Sequence, residues 1–208
     1  IFHLSSPVIL QNLVSMGAWF LFFVAIEHMG ERQLAISNII RATYMIMMTP
    51  VWGYAAATNS MVSNLIGQGR ENEVGKLVKR IIKLALITSG AIFALMMISP
   101  SAILGISTSD KSIIQDAMGC YYIIAGSMFL FSISVILLST VSGTGSTKAA
   151  MLIELTNIFI YLAYVYVFAI IINSSIEQVW LSEPIYWTMM GLFSWLYIRT
   201  GRWKEVRL

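Results

Sequence analysis

The sequence predicts an all-α membrane protein, a single bundle of six transmembrane helices, and three observations carry that expectation. First, six apolar stretches lie between polar breaks, at 8–26, 36–57, 81–98, 121–141, 149–172 and 180–198. A helix needs about 20 apolar residues to cross a hydrocarbon layer roughly 30 Å thick. Second, the 208 residues are 58% hydrophobic and only 11% charged, with a mean hydropathy of +0.78. A soluble fold of this length cannot hide so much apolar surface. Third, positive charge is segregated once the chain alternates sides. One face, holding both termini and the links after spans two and four, collects Arg70, Lys76, Lys79, Arg80, Lys83, Lys148, Arg199, Arg202, Lys204 and Arg207, ten of the thirteen Lys and Arg. The other face has Arg32 and Lys111, and Arg41 lies inside a span. Lys and Arg near span ends mark the cytoplasmic side, so both termini are expected there.

The net charge of +3 and pI near 9.0 are explained by this sidedness, so the implied partner is the lipid bilayer with its anionic headgroups rather than nucleic acid. The acids Glu27, Glu31, Asp110, Asp116, Glu177 and Glu183 fall in or beside the outer links. A single cysteine, Cys120, excludes an internal disulfide and a cysteine-rich metal site, and reads as a small buried apolar side chain.

The first span begins after Pro7 and carries Gln11, Asn12 and Ser15 in its cytoplasmic half. Such side chains either line a cavity or act as hydrogen-bonding glue between helices, the commoner role. There is no charged leader with a cleavage site, and the chain opens abruptly at Ile1, as expected of part of something longer. Six spans with both ends inside suit one half of a twelve-span transporter built from two repeats.

The second apolar region has helical character from Leu34 to Ile66 and contains Pro50, where a bend is expected. Asn38, Arg41, Met45, Met48, Trp52, Asn59 and Ser63 recur at helical spacing on one face. Methionines and an indole between polar ends suit a site for bulky, partly apolar ligands, and equally suit packing against neighbouring helices. Arg41 lies about eight residues, or roughly 12 Å of helix rise, into its span. Charges at such depth face a bundle interior or cavity with a partner, and Glu27 and Asp116 enter from the same side. Such a pair would either serve ion coupling or clamp two helices; the permanent charge of Arg favours the clamp.

Gly67-Gln-Gly69 breaks the second helix, and Lys76, Lys79, Arg80 and Lys83 then suit an amphipathic start to the third on the inner surface. The fourth span is rich in hydroxyls, including Tyr121, Tyr122, Ser127, Ser132, Ser134 and Ser139, which line a path or bond back to their own helix carbonyls. The segment Ser142-Gly-Thr-Gly-Ser-Thr-Lys148 lacks the phosphate-loop spacing and reads as a capped turn into the fifth span. Glu183-Pro184 marks the start of the sixth, with an acid near the positive end of the helix dipole. Neither His3 nor His28 belongs to an HExxH pattern, and no GxSxG elbow occurs. Nothing in the sequence supports catalysis.

Together these patterns resemble the C-terminal half of a MATE (multidrug and toxic compound extrusion) transporter, across essentially the whole chain. The resemblance rests on Pro7 at the first span, Gly30-Glu-Arg-Gln-Leu-Ala-Ile-Ser-Asn38 leading into the second, Pro50 within it, Ser60-Met-Val-Ser-Asn-Leu-Ile-Gly-Gln-Gly69 at its end, and Gly143-Thr-Gly-Ser-Thr147 after the fourth. It implies that the six spans are helices seven to twelve of a bacterial cytoplasmic-membrane protein. A similar N-terminal six-helix lobe would complete a V-shaped transporter alternating between inward- and outward-open states. Such proteins exchange organic cations and other drugs for Na⁺ or H⁺, with no other cofactor. The implied substrate cavity involves Gln11, Asn12, Ser15, Asn38, Arg41, Met45, Met48, Trp52, Tyr121 and Ser132. Many members carry a Glu near the position of Ser15 and some an Asp near Phe131 and Ser132; both acids are missing here. Ion coupling in this lobe would then fall to Glu27 or Asp116, or move to the other half. Arg41 also disfavours simple cationic drugs, leaving zwitterionic and anionic substrates open. Two alternatives remain at this point. A flippase for lipid-linked precursors of related topology would need a more cationic cavity than Arg41 provides, and a six-span membrane enzyme or scaffold would need a cluster of catalytic or metal-binding residues.

Overall fold

Gly30 lets the first two helices turn back on each other with one residue between them. Its φ of +123° lies where side-chain-bearing residues are strained, and it joins α1 (Phe2–Met29) directly to α2 (Glu31–Gly67). The computed structural model describes residues 2–205, with side chains from Ile9 to Trp203 except Asn12. Asn12, Lys204 and Arg207 therefore lie outside the described side chains. The first helix starts at Phe2, upstream of the expected start after Pro7.

The second helix runs 37 residues and continues through Pro50. Beside the proline, which has no N–H to offer, the Thr49 hydroxyl donates to the Met45 carbonyl at 2.8 Å, one turn back. A short 3-10 turn, Glu71–Glu73, precedes α3 (Val74–Ile98). Val74, Val78, Ile81 and Ala85 of α3 are buried, whereas Lys76, Lys79, Arg80 and Lys83 are exposed. The expected amphipathic start is present.

The chain then forms α4 (Pro100–Gly105) and α5 (Lys111–Gly143). Asp110 caps α5, its carboxylate accepting from the backbone N–H of Ser112 at 2.8 Å and Ile113 at 3.4 Å. After α6 (Thr147–Val165) the helix loosens into a π-helical turn, Tyr166–Ile171. A short α7 (Ile176–Trp180) leads to α8 (Ser182–Thr200).

The core forms around α5, which packs along α2, α3 and α8. Its residues Cys120, Tyr121, Ile124, Met128 and Phe131 are fully buried. By contrast α1 packs chiefly on α6 and leaves Leu13, Met16 and Phe20 exposed, as suits a helix at a bundle edge facing lipid. Among the described residues, five helical segments are long and apolar enough to cross a membrane: Ile9–Met29, Glu31–Gly67, Glu71–Ile98, Lys111–Gly143 and Thr147–Ile171. The expected sixth span, now α8, falls short by that measure, because Ser182, Glu183, Thr188 and several aromatic residues dilute its 19 residues. It is held by packing instead. A methyl group on Gly191 would lie 2.5 Å from Ser134 Oγ, and that hydroxyl donates to the Trp187 carbonyl at 2.5 Å.

Candidate functional site

Among the described residues, two carboxylates lie inside the bundle, and neither was among those the sequence singled out for ion coupling. Burying a carboxylate is costly unless donors surround it, so the partners of each define what the sequence has built there.

Glu154, on α6, is 7% exposed. It sits seven residues past Thr147, roughly 10 Å of helix rise from the basic end of the bundle. Gln11 Nε2 donates to Oε2 at 2.8 Å. Ser15 Oγ donates to Oε1, and Tyr186 OH donates to the same oxygen at 3.2 Å. Gln11 and Ser15 are four residues apart on α1 and therefore share a face. One turn beyond Glu154 lies Asn157, 1% exposed, whose Nδ2 donates to the Tyr186 carbonyl at 2.9 Å. Its Oδ1 is buried and has no hydrogen-bond partner among the described residues.

Glu183, in the first turn of α8, is 2% exposed. It stands at the helix start expected from Glu183-Pro184, beside the link, and its side chain turns into the bundle. Tyr44 OH of α2 and Trp187 Nε1 donate to Oε2 at 2.9 and 3.1 Å, and Tyr161 OH of α6 donates to Oε1 at 3.4 Å. Tyr186 belongs to both surroundings. Its hydroxyl serves Glu154, while its ring meets those of Tyr161 and Trp187 at 5.4 and 4.8 Å between centroids.

The residues expected at the site are distributed differently. Gln11 and Ser15 act between helices as anticipated, with Glu154 as their partner. Glu27 is exposed at the end of α1. Asp116 does not pair with Arg41: it binds Arg32, Nε to Oδ2 at 2.7 Å, with both side chains about half exposed. Arg32 stands in the first turn of α2, beside the start of α5, where an ion pair forms without losing its water. Deeper in α2, Arg41 instead places its guanidinium 4.7 Å from the ring centroid of Phe23 on α1. The helix clamp exists, with an aromatic face replacing the carboxylate. Asn38, Met45 and Trp52 are exposed on α2, whereas Met48 is packed into the core. Tyr121 and Ser132 are fully buried and line no open surface of this lobe. Tyr121 OH donates to the Met96 carbonyl at 3.0 Å, and Ser132 shares a 2.6 Å hydrogen bond with Ser89. Both therefore fasten α5 to α3. No group of three or more His, Cys, Asp or Glu side chains converges on a common point among the described residues.

The family model MatE matches residues 7–174. No curated protein matches the chain. Among solved structures, an outward-facing multidrug resistance MATE family transporter of the MOP superfamily is 18% identical with a TM-score of 0.85, covering 96% of this chain and 46% of its own. A MOP superfamily transporter from Pyrococcus furiosus, for which a reversed polarity of the binding pocket is taken to suggest a different function, gives the same identity, TM-score and coverage. An inward-facing multidrug resistance MATE family transporter of that superfamily is 20% identical with a TM-score of 0.82, covering 100% of this chain and 49% of its own. The chain thus spans about half the length of the transporters it matches, and at these identities the likeness is one of fold.

Proposed function

The chain belongs to the MatE family, and on that premise we propose that it is the C-terminal lobe of a secondary active multidrug efflux antiporter, exporting small organic compounds in exchange for H⁺ or Na⁺ by alternating access. The observation that carries this reading is the open face of α2. Asn38, Met45, Trp52 and Asn59 are exposed, and Arg41 lies half-buried beside them. Asparagine and arginine side chains at membrane depth do not face lipid; they face protein or a watery cavity. A stripe mixing amides, methionine and indole suits one wall of a cavity that a missing N-terminal six-helix lobe would close. Two lobes rocking about such a cavity would present the stripe to each side of the membrane in turn.

Within that cavity the permanent charge of Arg41 repels small cations unless a counter-charge neutralises it, so compounds carrying an anionic group are favoured as substrates. The test is efflux of fluorescent organic anions and zwitterions, with organic cations as the disfavoured comparison, from pump-deficient cells expressing the full-length gene product, with the proton and sodium gradients collapsed in turn. Gradient-dependent efflux is the expected outcome. Absence of efflux of every class, with the protein present in the membrane, would overturn the multidrug reading in favour of lipid-linked substrates.

A further inference from the structure

At the basic end of the bundle, the break between α2 and α3 holds a cleft of about 320 Å³. Its apolar part is Met61 and Leu65 of α2 with Leu77 of α3, the last two packed on the cluster around Val62 and Val74. A chain of hydrogen bonds forms its polar wall. Gln68 Nε2 donates to Asn64 Oδ1 at 2.5 Å, and Arg70 Nη1 donates to Gln68 Oε1 at 3.0 Å. Arg70 Nε and Nη2 then donate to the two Glu73 oxygens at 2.8 and 2.9 Å. Glu73, the acid in the lining, is thereby matched by Arg70. Lys76 and Arg80 complete the lining, stand exposed, and form no ion pair among the described residues. We propose that this cleft binds the phosphate headgroup of one anionic phospholipid, held between Lys76 and Arg80.

Three observations point to this occupant. The first is charge. Lys76 and Arg80 are four residues apart and neighbours on one face of α3, so a single phosphate reaches both. Asn64 accepts through Oδ1, which leaves its Nδ2 hydrogens to donate. A phosphodiester offers charged acceptors to such a set of donors. The second is the apolar track beyond the cations. From Arg80 the same face of α3 continues at intervals of four and three through Leu84, Ile87, Ala91, Leu95 and Ile98, all exposed. That track is roughly 27 Å of helix rise, close to the depth of the hydrocarbon layer. A soluble phosphate compound needs only the cations, whereas a phospholipid also uses the track for its acyl chains. The third is direction. At about 100° per residue, Met61, Asn64, Leu65 and Gln68 lie about half a turn round α2 from the stripe of Asn38, Arg41, Met45, Trp52 and Asn59. The cleft therefore opens away from the stripe, on the side where the exposed face of α3 meets lipid.

The headgroup would occupy a junction with little packing of its own. Gly69, at a φ of +68°, and the short 3-10 turn Glu71–Glu73 join the two helices there. A phosphate shared by Asn64 on one side and Lys76 and Arg80 on the other ties the last turns of α2 to the start of α3. Any effect of the lipid on transport rests on the antiporter reading above; its binding does not.

The test uses the purified full-length protein in nonionic detergent micelles, supplemented with phosphatidylglycerol or with phosphatidylcholine of the same acyl chains. Retained lipid is counted by native mass spectrometry, and the melting temperature is followed as lipid is added. Preferential retention of phosphatidylglycerol and a saturable rise in melting temperature are expected. Lys76→Gln and Arg80→Gln should each weaken the apparent affinity about fivefold, and together about twentyfold or more. As a control, Lys79→Gln combined with Lys148→Gln removes two exposed charges from the same end but outside the cleft. That pair should leave the affinity within about twofold, since separated surface charges are screened. Equal retention of the two lipids overturns the proposal, as does an equal loss in the control pair, which would mean attraction by diffuse charge alone. So does the same response to soluble glycerol phosphate, which would make the ligand a free phosphate compound. Should the double variant fail to fold, unchanged affinity in both single variants has the same consequence. Efflux without any lipid preference would remove this site and leave the transporter reading intact, and lipid binding without efflux would do the reverse.

Discussion

Glu183 and Glu154 are both buried acids with three side-chain donors, yet they are held in different ways. The partners of Glu183 come from α2, α6 and α8, and two are bulky aromatic hydroxyls packed in the core, with Trp187 Nε1 also donating to Tyr44 OH at 2.6 Å. Such an arrangement is a rivet between three helices. Glu183→Ala is expected to destabilise the protein by about 1–3 kcal/mol for each donor left unpaired, while Glu183→Gln, which keeps an acceptor, costs less. Thermal unfolding compares the two, and equal melting temperatures for Glu183→Ala and the native protein would refute the rivet. The sequence made little of this visible. Glu183 follows a polar link, so its place along the chain reads as exposed; its burial comes from α7, which turns Trp180 inward against Phe22 and Tyr44. Glu154 had a usable signal, since an acid within an apolar span marks a functional candidate by default. The carboxylate that reaches the Ser15 hydroxyl comes from α6, across the bundle, and not from α1 itself. Ranking partners for Arg41 was beyond sequence spacing, because Arg32, nine residues earlier on the same helix, competes for Asp116.

At the scale of elements, α5 organises the lobe, and its two ends show how. Near its C-terminus it approaches α2 so closely that a methyl group on Gly143 would lie 2.8 Å from the Asn59 backbone oxygen, and Ser63 Oγ donates to the Gly143 carbonyl at 2.9 Å. Backbone cannot step aside as a flexible side chain can. Gly143→Ala is therefore expected to cost about 1–3 kcal/mol by overpacking, measurable as a lowered melting temperature; an unchanged value would show that the two helices separate freely. At the other end the Asp110 cap is exposed, and the Ser112 backbone N–H, the Ser112 hydroxyl and the Ile113 N–H hold its carboxyl below the usual aspartate range. A depressed folded-state pKa stabilises the fold above the unfolded value, about 3.9, and the gain disappears as pH falls through the lower folded value. The melting temperature of Asp110→Ala should thus lie below the native one at neutral pH, with the gap narrowing in acid; a gap that does not change with pH would contradict the cap. Both ends were partly legible. Apolar length located α1, α2, α3, α5 and α6, and basic residues located the amphipathic start of α3. Apolar length also located α8, although a buried acid and aromatic hydroxyls there replace aliphatic bulk, and it gave no sign of the π-helical turn after α6.

For the whole molecule, charge placement and fold make separate claims about orientation. The bundle gathers Arg70, Lys76, Lys79, Arg80, Lys83 and Lys148 at one end and leaves Arg32 and Lys111 at the other. Only the positive-inside argument assigns the first end to the cytoplasm. The assignment decides which side of the membrane Glu154 lies nearer, because it stands roughly 10 Å of helix rise from that basic end. The chain is well suited to the test. The one cysteine of this lobe, Cys120, is buried in α5 and should contribute little background to labelling by a membrane-impermeant maleimide, which is read against the full-length protein carrying neither substitution. Lys111→Cys and Lys76→Cys both replace exposed side chains at opposite ends. In intact cells expressing the full-length protein, Lys111→Cys should label from outside, while Lys76→Cys should label only after the membrane is opened. The reverse pattern would invert the lobe and place Glu154 nearer the outer side of the membrane.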